Sequence, residues 1–453
     1  MEFTRQLAEF VAEKDFDDIS PDIIQQTKLL ILDTLGCALG GYTLASEEVE
    51  WIVKFIKQQG CQGPSTIFAD GCKTSSAYAA LANGAMVHTV DFDDTHMGSV
   101  AHLNASLLAT TFAMGEERGA SGKEVIVSFI LGFDLGARVG RSVMPSHYKF
   151  WHPTATFGGV AAAGAAAKML HLNADQTEYV IGHAADAAGG LRYGVEKGDF
   201  SKTMHPAFSA MKAIVSAGVV SLGADGPVGL LEYPSGFCNA YSEAPVLEPL
   251  VSELGKKYEI MEDSIKSFPT IQCSHTAIQT TIDLISENKL QKDDIAEVNI
   301  LHTETVKGQG CNYSPDTALA ARLSIPFCIA LAMCDGKVTL DQFTESRLHD
   351  PEILDCMNKV KIEASAEFKT KYPETIAAFV DIKAADGAVY SGSQIYPKGD
   401  PRNRMSVDEV KDKFRSLALN TFDSDQVEKI IDSILELEKV EDVSTVTGLF
   451  VKG

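Results

Sequence analysis

Long helical stretches dominated by alanine and glycine constrain the fold of this chain more than any other feature. From Thr74 to about Ala224 nearly every predicted element is a helix with many small side chains. The clearest are GGVAAAGAAAKML at 158–170 and HPAFSAMKAIVSAGVVSLGA at 205–224. Small side chains let helix axes approach closely, as the buried helices of a large bundle require. The pattern therefore predicts a closely packed helical domain, and we assign it no catalytic role.

Amphipathic helices precede this stretch and follow the middle of the chain. The periodicity predicts helices at 4–14, 21–40 and 46–58, with Pro21 at a helix start and Gly40–Gly41 at a helix end. Two more amphipathic helices are predicted at 406–419 and 424–438. We expect the last two to pack back on the first domain.

The pattern of apolar residues changes near Lys266. Alternating apolar and polar residues predict strands at 296–303, 360–364 and 379–383, and the turn at Asp386–Gly387 predicts a hairpin. Helical stretches at 274–290, 318–333 and 340–358 lie between them. The fold class is therefore mainly α. We expect a large helical domain formed by residues 1–264 and 397–453, with a smaller α/β domain, residues 265–396, inserted into it.

Charge and cysteine usage limit the partners and the compartment. The net charge of −23 comes without any run of Lys or Arg, which argues against nucleic acid and anionic membrane surfaces as partners. No apolar stretch is both long and uncharged enough to span a bilayer. The nine cysteines are scattered without CxxC pairs, which suggests reduced, mostly buried thiols. The N-terminus resembles no secretory signal, and we expect a cytoplasmic protein.

The stretch HTVDFDDTHMGSVAH, residues 88–102, concentrates chemically active side chains. Three carboxylates (Asp91, Asp93, Asp94), a hydroxyl (Thr95) and three imidazoles (His88, His96, His102) lie within it. Apolar helical patterns flank it, and Asn104 is placed to cap the second of them. A polar link between two packed helices is a suitable place for an active site. Two alternatives stay open: a metal site, although the spacing matches no common ligand motif, and a solvated acidic loop.

Three further segments carry candidate site residues. In FWHPTATFGG, His152 precedes Pro153 at a predicted helix start, where the helix dipole favours a neutral imidazole. In GDFSKTMHPAF, Lys202 and His205 lie at the beginning of another buried helix, a combination that can bind a carboxylate. Lys266 lies at the domain junction, where ligands commonly bind. His152 alone is equally well explained as a structural histidine, and Lys202 alone is a weak signal because most lysines are simply solvated. Cys273 and His275 are interpreted as structural.

Together these segments resemble a known family. HTVDFDDTH, WHPTA, KTMHPAF, KSFPTIQCSH and YPKGDPRNRMS, in this order, are similar to the motif set of the MmgE/PrpD family. That family contains 2-methylcitrate dehydratases, cis-aconitate decarboxylases and iminodisuccinate epimerases. The resemblance extends from the first helix to about residue 438. It implies a helical domain built from both chain ends, an inserted α/β lid and a homodimer.

The resemblance also implies a set of pocket residues. By position these are Asp91, Thr95, His102, His152, Lys202 and Lys266. Active members of the family often carry a tyrosine in a lid helix, and the corresponding stretch here, LSIPFCIALAMCDG, has Phe327 at that position. We expect Phe327 to face the substrate together with Thr95 and His205. The loss of a phenol removes a possible proton donor and makes epimerisation more plausible.

A shared mechanism makes sense of these residues. Lys202 and Lys266 are expected to neutralise the carboxylates of a di- or tricarboxylate and to stabilise an enediolate-like transition state. His102 and His152 are the expected general acid and base, and Asp91 orients a neighbouring group or accepts a proton. No metal or organic cofactor is expected. The predicted activity is that of a lyase, dehydration ahead of decarboxylation. The alternatives are an epimerase acting on an iminodisuccinate-like dicarboxylate and a catalytically silent polycarboxylate-binding homologue.

Overall fold

The helices of the first domain form the body of the molecule. The computed structural model describes residues 2–303, 310–365, 368 and 375–452. In chain order the helices up to residue 241 are α1 (Phe3–Glu13), α2 (Pro21–Leu44), α3 (Ser46–Gln59), α4 (Ser76–His88), α5 (Asn104–Arg118), α6 (Gly122–Val143), α7 (Pro153–Met169), α8 (Ala174–Asp186), α9 (Tyr193–Lys197), α10 (Phe200–Ser221) and α11 (Phe237–Tyr241). Helices α4, α5, α6, α7 and α10 pack against one another at the centre.

Small side chains bring these central helices close together, as the sequence predicts. A Cβ atom at Gly132 of α6 would lie 2.6 Å from the carbonyl oxygen of Ala161 in α7. One at Gly136 would lie 2.5 Å from the Cβ of Ala161. Real side chains do not tolerate such distances, so any larger residue at either position forces the two helices apart.

Glycine has the same role in α2, and the predicted helix end at Gly40–Gly41 is wrong. Helix α2 continues through both glycines to Leu44. A Cβ at Gly41 would lie 1.9 Å from the backbone oxygen of Met86 in α4. The glycine pair therefore serves the contact between α2 and α4. Tertiary packing here outweighs the weak helix propensity of glycine.

The inserted domain is an α/β unit with its own hydrophobic core. Its strands are β5 (Ile295–Thr303), β6 (Val360–Ser365), β7 (Ala378–Ala384) and β8 (Val389–Gln394), in the sheet order β6-β5-β7-β8. Strands β5 and β6 run parallel, and the other pairs are antiparallel. Its helices are α12 (His275–Asn288), α13 (Ala318–Arg322), α14 (Ile325–Asp335), α15 (Glu345–Leu348) and α16 (Pro351–Asn358). The buried residues of this core lie between Phe268 and Ile382.

Two predicted helices of this domain are each broken. The stretch 318–333 forms α13 and α14, because the Ser324 hydroxyl accepts the backbone N–H of Phe327 and starts a new helix with Pro326 in its first turn. The stretch 340–358 is divided before Pro351, which begins α16 with Asp350 as its cap. Capping side chains and proline thus set helix boundaries that hydrophobic periodicity alone does not mark.

The last part of the chain returns to the helical body. Helices α17 (Val407–Ala418), α18 (Ser424–Leu435) and α19 (Ser444–Thr447) follow the inserted domain. Val410, Phe414 and Leu417 of α17 belong to the core of the first domain, and α17 packs against α2. The prediction of a mainly α fold, with a helical domain built from both chain ends and a small inserted α/β domain, is confirmed. The boundaries at 264/265 and 396/397 stay predictions.

One expectation about the cysteines is wrong. Cys61 and Cys72 form a disulfide with their Cα atoms 6.1 Å apart. The segment between them folds back through β1 (Ser65–Thr66) and β2 (Lys73–Thr74), an antiparallel pair. The two thiols, 11 residues apart in sequence, meet because this pairing closes the loop.

Among the described residues, no single helix is long and apolar enough to cross a membrane. Only the bent pair of residues 21–44 and 47–59, with 91° between its two helices, reaches the required length and composition.

Candidate active site

The acidic stretch after α4 is buried, so a solvated acidic loop is excluded. Asp91, Asp93 and Asp94 are each at most 1% exposed. Burial of three carboxylates requires a compensating partner for each. Asp94 meets this requirement at the start of α5, where its carboxylate accepts the backbone N–H groups of Leu103 and Asn104.

The expected cap by Asn104 is therefore wrong. Asn104 is the first residue of α5, and its side-chain amide donates to the carboxylate of Asp263 at 2.9 Å. Asp94 supplies the cap from the preceding loop, nine residues upstream of Leu103. A carboxylate at a helix N-terminus also interacts favourably with the helix dipole.

Asp91 binds two lysines that come from distant parts of the chain. Lys266 donates to Asp91 Oδ1 at 2.8 Å and to the backbone oxygen of Asp91 at 3.0 Å. Lys202 donates to the same Oδ1 at 3.4 Å. Asp91 has a φ of 50°, the left-handed region, which aspartate tolerates better than most residues. Its second oxygen, Oδ2, is buried without a hydrogen-bond partner among the described residues.

A short pair of strands brings Lys266 to this position. Strand β3 (Thr95–His96) pairs antiparallel with β4 (Asp263–Ser264), with Thr95 opposite Ser264. Lys266 follows β4 by two residues and thus comes next to the acidic loop, 175 residues away from Asp91 in sequence. The junction between the domains is therefore tied to the loop by backbone pairing, which holds the lysine in place.

His88 and Asp93 complete the surroundings of Lys202, and the sequence did not assign a role to either. The His88 Nδ1–H donates to Asp93 Oδ2 at 2.7 Å. This leaves Nε2 to accept from the Lys202 ammonium at 3.1 Å. The two contacts form a buried chain from Asp93 through His88 to Lys202. The one sequence feature that could have indicated a role for His88 is its position at the end of the helix before the acidic loop.

His102 has a defined tautomer. Its Nδ1 lies 2.5 Å from the backbone oxygen of Asp94, and a carbonyl oxygen can only accept. Nδ1 therefore carries the hydrogen, and Nε2 has the lone pair. Burial, followed by the charge of Lys266, lowers the pKa of His102 to about 3. The imidazole is neutral near pH 7, so the lone pair of Nε2 is free to accept a proton.

His152 lies at the N-terminal cap of α7, as the sequence predicts, with Pro153 as the first helical residue. Its Nδ1 is 2.7 Å from Nδ1 of His205 in α10. The ring centroids of His152 and His102 are 6.4 Å apart. Burial, followed by the charge of His205, lowers the pKa of His152 well below its usual range.

One cavity collects most of the predicted site residues. Its lining consists of Asp91, Thr95, Met97, Val100, His102, Tyr148, His152, Val195, Lys202, Lys266, Ile271, Gln272, Cys273, Leu323 and Ile376. Six of the eight predicted residues are among them. Both domains contribute to the lining, so the cavity lies between the helical body and the inserted domain.

Two predicted residues lie elsewhere. Phe327 was expected to face the substrate, but it is fully buried in the core of the inserted domain, with its ring 6.0 Å from that of Phe343. Its position in the first turn of α14 turns the ring inward, away from the cavity lining. His205 contacts His152 on the side away from the cavity and is likewise absent from the lining.

The sequence missed two polar residues of the lining, Tyr148 and Gln272. Tyr148 brings a phenol to the cavity from the segment before α7, with Arg192 stacked on its ring at 4.9 Å. Gln272 is 6% exposed, and its Oε1 has no hydrogen-bond partner in the part of the chain that the structure describes. Neither residue type marks a site by itself, which explains why the sequence pattern gave no signal for them.

The two lysines of the cavity stabilise the ionised form of the Asp91 carboxyl. Burial raises the pKa of the Asp91 carboxyl, but Lys202 and Lys266 outweigh it, and the net pKa lies well below its ordinary value. Burial lowers the pKa of Lys202, and Asp91 opposes that change. Two ammonium groups of the lining thus share the carboxylate of Asp91, and the buried Asp93 carboxylate is bonded to His88.

Burial raises the pKa of Asp94 well above its ordinary value, and the nearby Asp263 raises it further. Within the described ranges, no group of three His, Cys, Asp or Glu side chains could hold a metal ion.

His302 anchors the segment that carries Gln272 and Cys273. Its Nε2–H donates to the backbone oxygen of Cys273 at 2.7 Å, and its Nδ1 accepts the N–H of Thr303 at 2.7 Å. Acceptance of a hydrogen bond at Nδ1 requires a neutral imidazole. Burial lowers the pKa of His302 to about 4.

This arrangement predicts a pH-dependent contribution to stability. Between pH 6.5 and about 4 the unfolded chain binds a proton at His302 that the native state does not, so stability is lost as the pH falls. Relative to His302→Gln, the wild type should lose about 2 kcal/mol of unfolding free energy between pH 7.5 and pH 5. Urea unfolding of both proteins at the two pH values measures this. A constant difference between them contradicts the assignment.

Comparisons with known proteins agree on one family. The MmgE/PrpD N-terminal domain model matches residues 5–250, and the MmgE/PrpD C-terminal domain model matches residues 268–439. A cis-aconitate decarboxylase-like protein of Aspergillus oryzae is 27% identical over 98% of this chain and 96% of its own length.

Two further relatives cover nearly the whole chain. Human cis-aconitate decarboxylase is 26% identical over 94% of this chain and 90% of its own length. The mitochondrial 2-methylcitrate dehydratase of Yarrowia lipolytica is 24% identical over 99% of this chain and 90% of its own length.

Proposed function

The chain belongs to the MmgE/PrpD family, and we propose that it is a cofactor-independent lyase acting on a short tricarboxylate. Decarboxylation of a cis-aconitate-like substrate is the first candidate reaction, because relatives of that name match almost the full length of the chain. Dehydration of a 2-methylcitrate-like substrate is the second, favoured by the similarity to the Yarrowia dehydratase.

One observation supports this proposal most directly: two ammonium groups and two neutral imidazoles line the same cavity. Lys202 and Lys266 share the single carboxylate of Asp91. A substrate carboxylate that enters the cavity can accept hydrogen bonds from both ammonium groups. In a site shielded from water, such fixed cations bind a carboxylate and stabilise charge that develops next to it.

The imidazoles supply the proton transfers. We assign His102 Nε2 as the general base, because Nδ1 is held by the carbonyl of Asp94 and carries the hydrogen. In dehydration the base removes a proton from the carbon next to a carboxylate, the lysines stabilise the enediolate, and hydroxide leaves with a proton as water. In decarboxylation one C–C bond breaks, CO₂ leaves, and the carbon gains a proton from His152 in the tautomer that carries hydrogen on Nε2, because His102 Nε2 carries none.

Thr95 and Gln272 are the proposed orienting groups. The Thr95 hydroxyl lies 3.4 Å from His102 Nδ1 and lines the cavity. The Gln272 Oε1, which is buried without a partner in the described ranges, can accept from a protonated or hydroxyl group of the substrate. A site that leaves such a group unpaired discriminates against ligands that cannot bond to it.

A panel of substrates in D₂O tests the proposed function. The protein is incubated with cis-aconitate, 2-methylcitrate and iminodisuccinate, and products are followed by NMR. Appearance of a decarboxylated or dehydrated product supports the lyase. Deuterium exchange with inversion alone supports the epimerase, and saturable binding without any chemistry supports the silent homologue. Either of the last two results overturns the proposal. Activity that survives exhaustive chelation supports the absence of a metal requirement.

We also propose a homodimer, with the outward face of α10 as its surface. Val215 and Val219 lie along one stripe of this helix, and Leu222 directly follows its last residue; the three are 52%, 50% and 90% exposed. Exposed apolar stripes of this kind are typical of contacts between chains. The variant Val219→Glu combined with Leu222→Glu should therefore be monomeric in light scattering, whereas Ser221→Glu should leave the dimer intact. A monomeric wild type contradicts the proposal.

A further inference from the structure

His205 links the imidazole of His152 to a second cavity. The two Nδ1 atoms are 2.7 Å apart and the ring centroids 4.9 Å apart. At this distance one Nδ1 must carry a hydrogen and donate to the other. His152 lines the candidate active site, whereas His205 lines the second cavity. The histidine pair therefore spans the wall between the two.

The second cavity lies on the outer side of His205 and reaches the surface. It is lined by Ala155, Gly189, Gly190, Ser201, Met204, His205, Phe208, Ser209 and Lys212. Phe208 is 41% exposed and Ser201 is also exposed. Water can therefore reach the outer edge of the His205 ring without passing through the substrate cavity.

Gly190 keeps this outer edge clear. Its φ of 131° is a conformation that glycine adopts readily and other residues rarely do. A Cβ here would lie 2.2 Å from the Cβ of Ala155 and 3.2 Å from Nε2 of His205. The backbone oxygen of Gly190 also accepts the N–H of His152 at 3.0 Å. One glycine thus positions His152 and leaves His205 Nε2 accessible.

Burial keeps the imidazoles of His152 and His205 neutral. His88, Lys202, Asp199 and Lys212 surround His205, and its pKa is lowered to about 4, chiefly by burial. Two neutral imidazoles joined through Nδ1 can pass one proton without accumulating charge. His152 takes a proton at Nε2 and gives its Nδ1 proton to His205, whose Nε2 proton goes to water.

We propose that His205 is a relay residue that exchanges protons between His152 and solvent through the second cavity. It acts through His152 and does not contact the substrate. The inference rests on the proposed function, because a lyase of this kind must exchange protons between substrate and solvent in each turnover. The direction of transfer is set by the reaction, since each step of the relay is reversible.

Chemical rescue tests this relay. In His205→Gly the missing ring leaves space continuous with the second cavity, so added imidazole can take its place. We expect kcat to fall at least about 10²-fold, the lower range for a proton-transfer group, with KM little changed. Added imidazole should restore kcat in a saturable way. Phe208→Ala, which enlarges the same cavity without removing an imidazole, should keep wild-type kcat.

A second variant keeps the test independent of folding. His205→Gln retains a hydrogen-bond partner for His152 but cannot relay a proton, and it fills the space that imidazole needs. It should be slow and insensitive to imidazole. Wild-type kcat in His205→Gln, or a slow and folded His205→Gly that imidazole does not rescue, overturns the relay. Inactivity of the wild type on the whole panel contradicts the proposed function instead.

The histidine contact can also be checked without substrate. In ¹⁵N-histidine spectra the His152 tautomer should change on His205→Gln and should stay unchanged in Phe208→Ala. An unchanged His152 signal in His205→Gln overturns the contact on which the relay depends.

Discussion

Replacing Asp91 with asparagine is expected to abolish most activity and to destabilise the protein. The carboxylate is the shared partner of Lys202 and Lys266, and all three side chains are at most 3% exposed. Without this carboxylate, the two ammonium groups remain buried and lose the negative charge that both of them contact. Removing one partner of a buried ion pair costs about 3–5 kcal/mol. Loss of a preorganised electrostatic group costs about 10²–10³-fold in kcat.

Asp134→Asn is the matched control. Asp134 is fully buried and its carboxylate accepts from Arg138 at 2.5 Å within α6, outside the cavity lining. Both variants should lower the midpoint of urea unfolding, but only Asp91→Asn should lower kcat in the folded protein. Equal loss of kcat in the two variants would mean that Asp91 acts through stability alone.

The fold could be predicted from the sequence because its signals are local and repeated. The small residues of α6 and α7, and the change to alternating strands after Lys266, each extend over many positions. The helix boundaries were harder to predict, since single side chains determine them. Ser324 and Pro351 begin new helices where the apolar period continues. At Gly41 the opposite happens, because contact with α4 holds the helix together.

The candidate site was predicted unevenly. Asp91, Lys202 and Lys266 were named through the family resemblance, and the structure brings them within hydrogen-bond distance across 111 and 175 residues. His88 was seen but not assigned, because its contact with Lys202 spans 114 residues and leaves no local pattern. Phe327 was expected at the cavity from its sequence position. The face of α14 on which Phe327 lies depends on how this helix packs in the inserted domain, and the local sequence does not determine that packing.

Replacing His102 with glutamine should nearly stop turnover while the fold persists. The proposed base is Nε2, and glutamine offers no group that accepts and releases a proton near neutral pH. Its amide can still donate to the Asp94 carbonyl, which His102 Nδ1 now contacts. We therefore expect kcat to fall by about 10²–10⁴-fold, with a much smaller change in KM.

His302→Gln is the control for His102→Gln, because it also removes a buried neutral imidazole, but one outside the cavity lining. It should keep most of kcat at pH 7.5, because the glutamine amide can still donate to the Cys273 carbonyl that His302 Nε2 contacts. Single-turnover measurements separate the chemical step from binding and release. If His102→Gln retains deuterium exchange at the substrate carbon at the wild-type rate, another group is the base. His152, which His205 connects to solvent, is then the next residue to test, since it is the other imidazole of the lining.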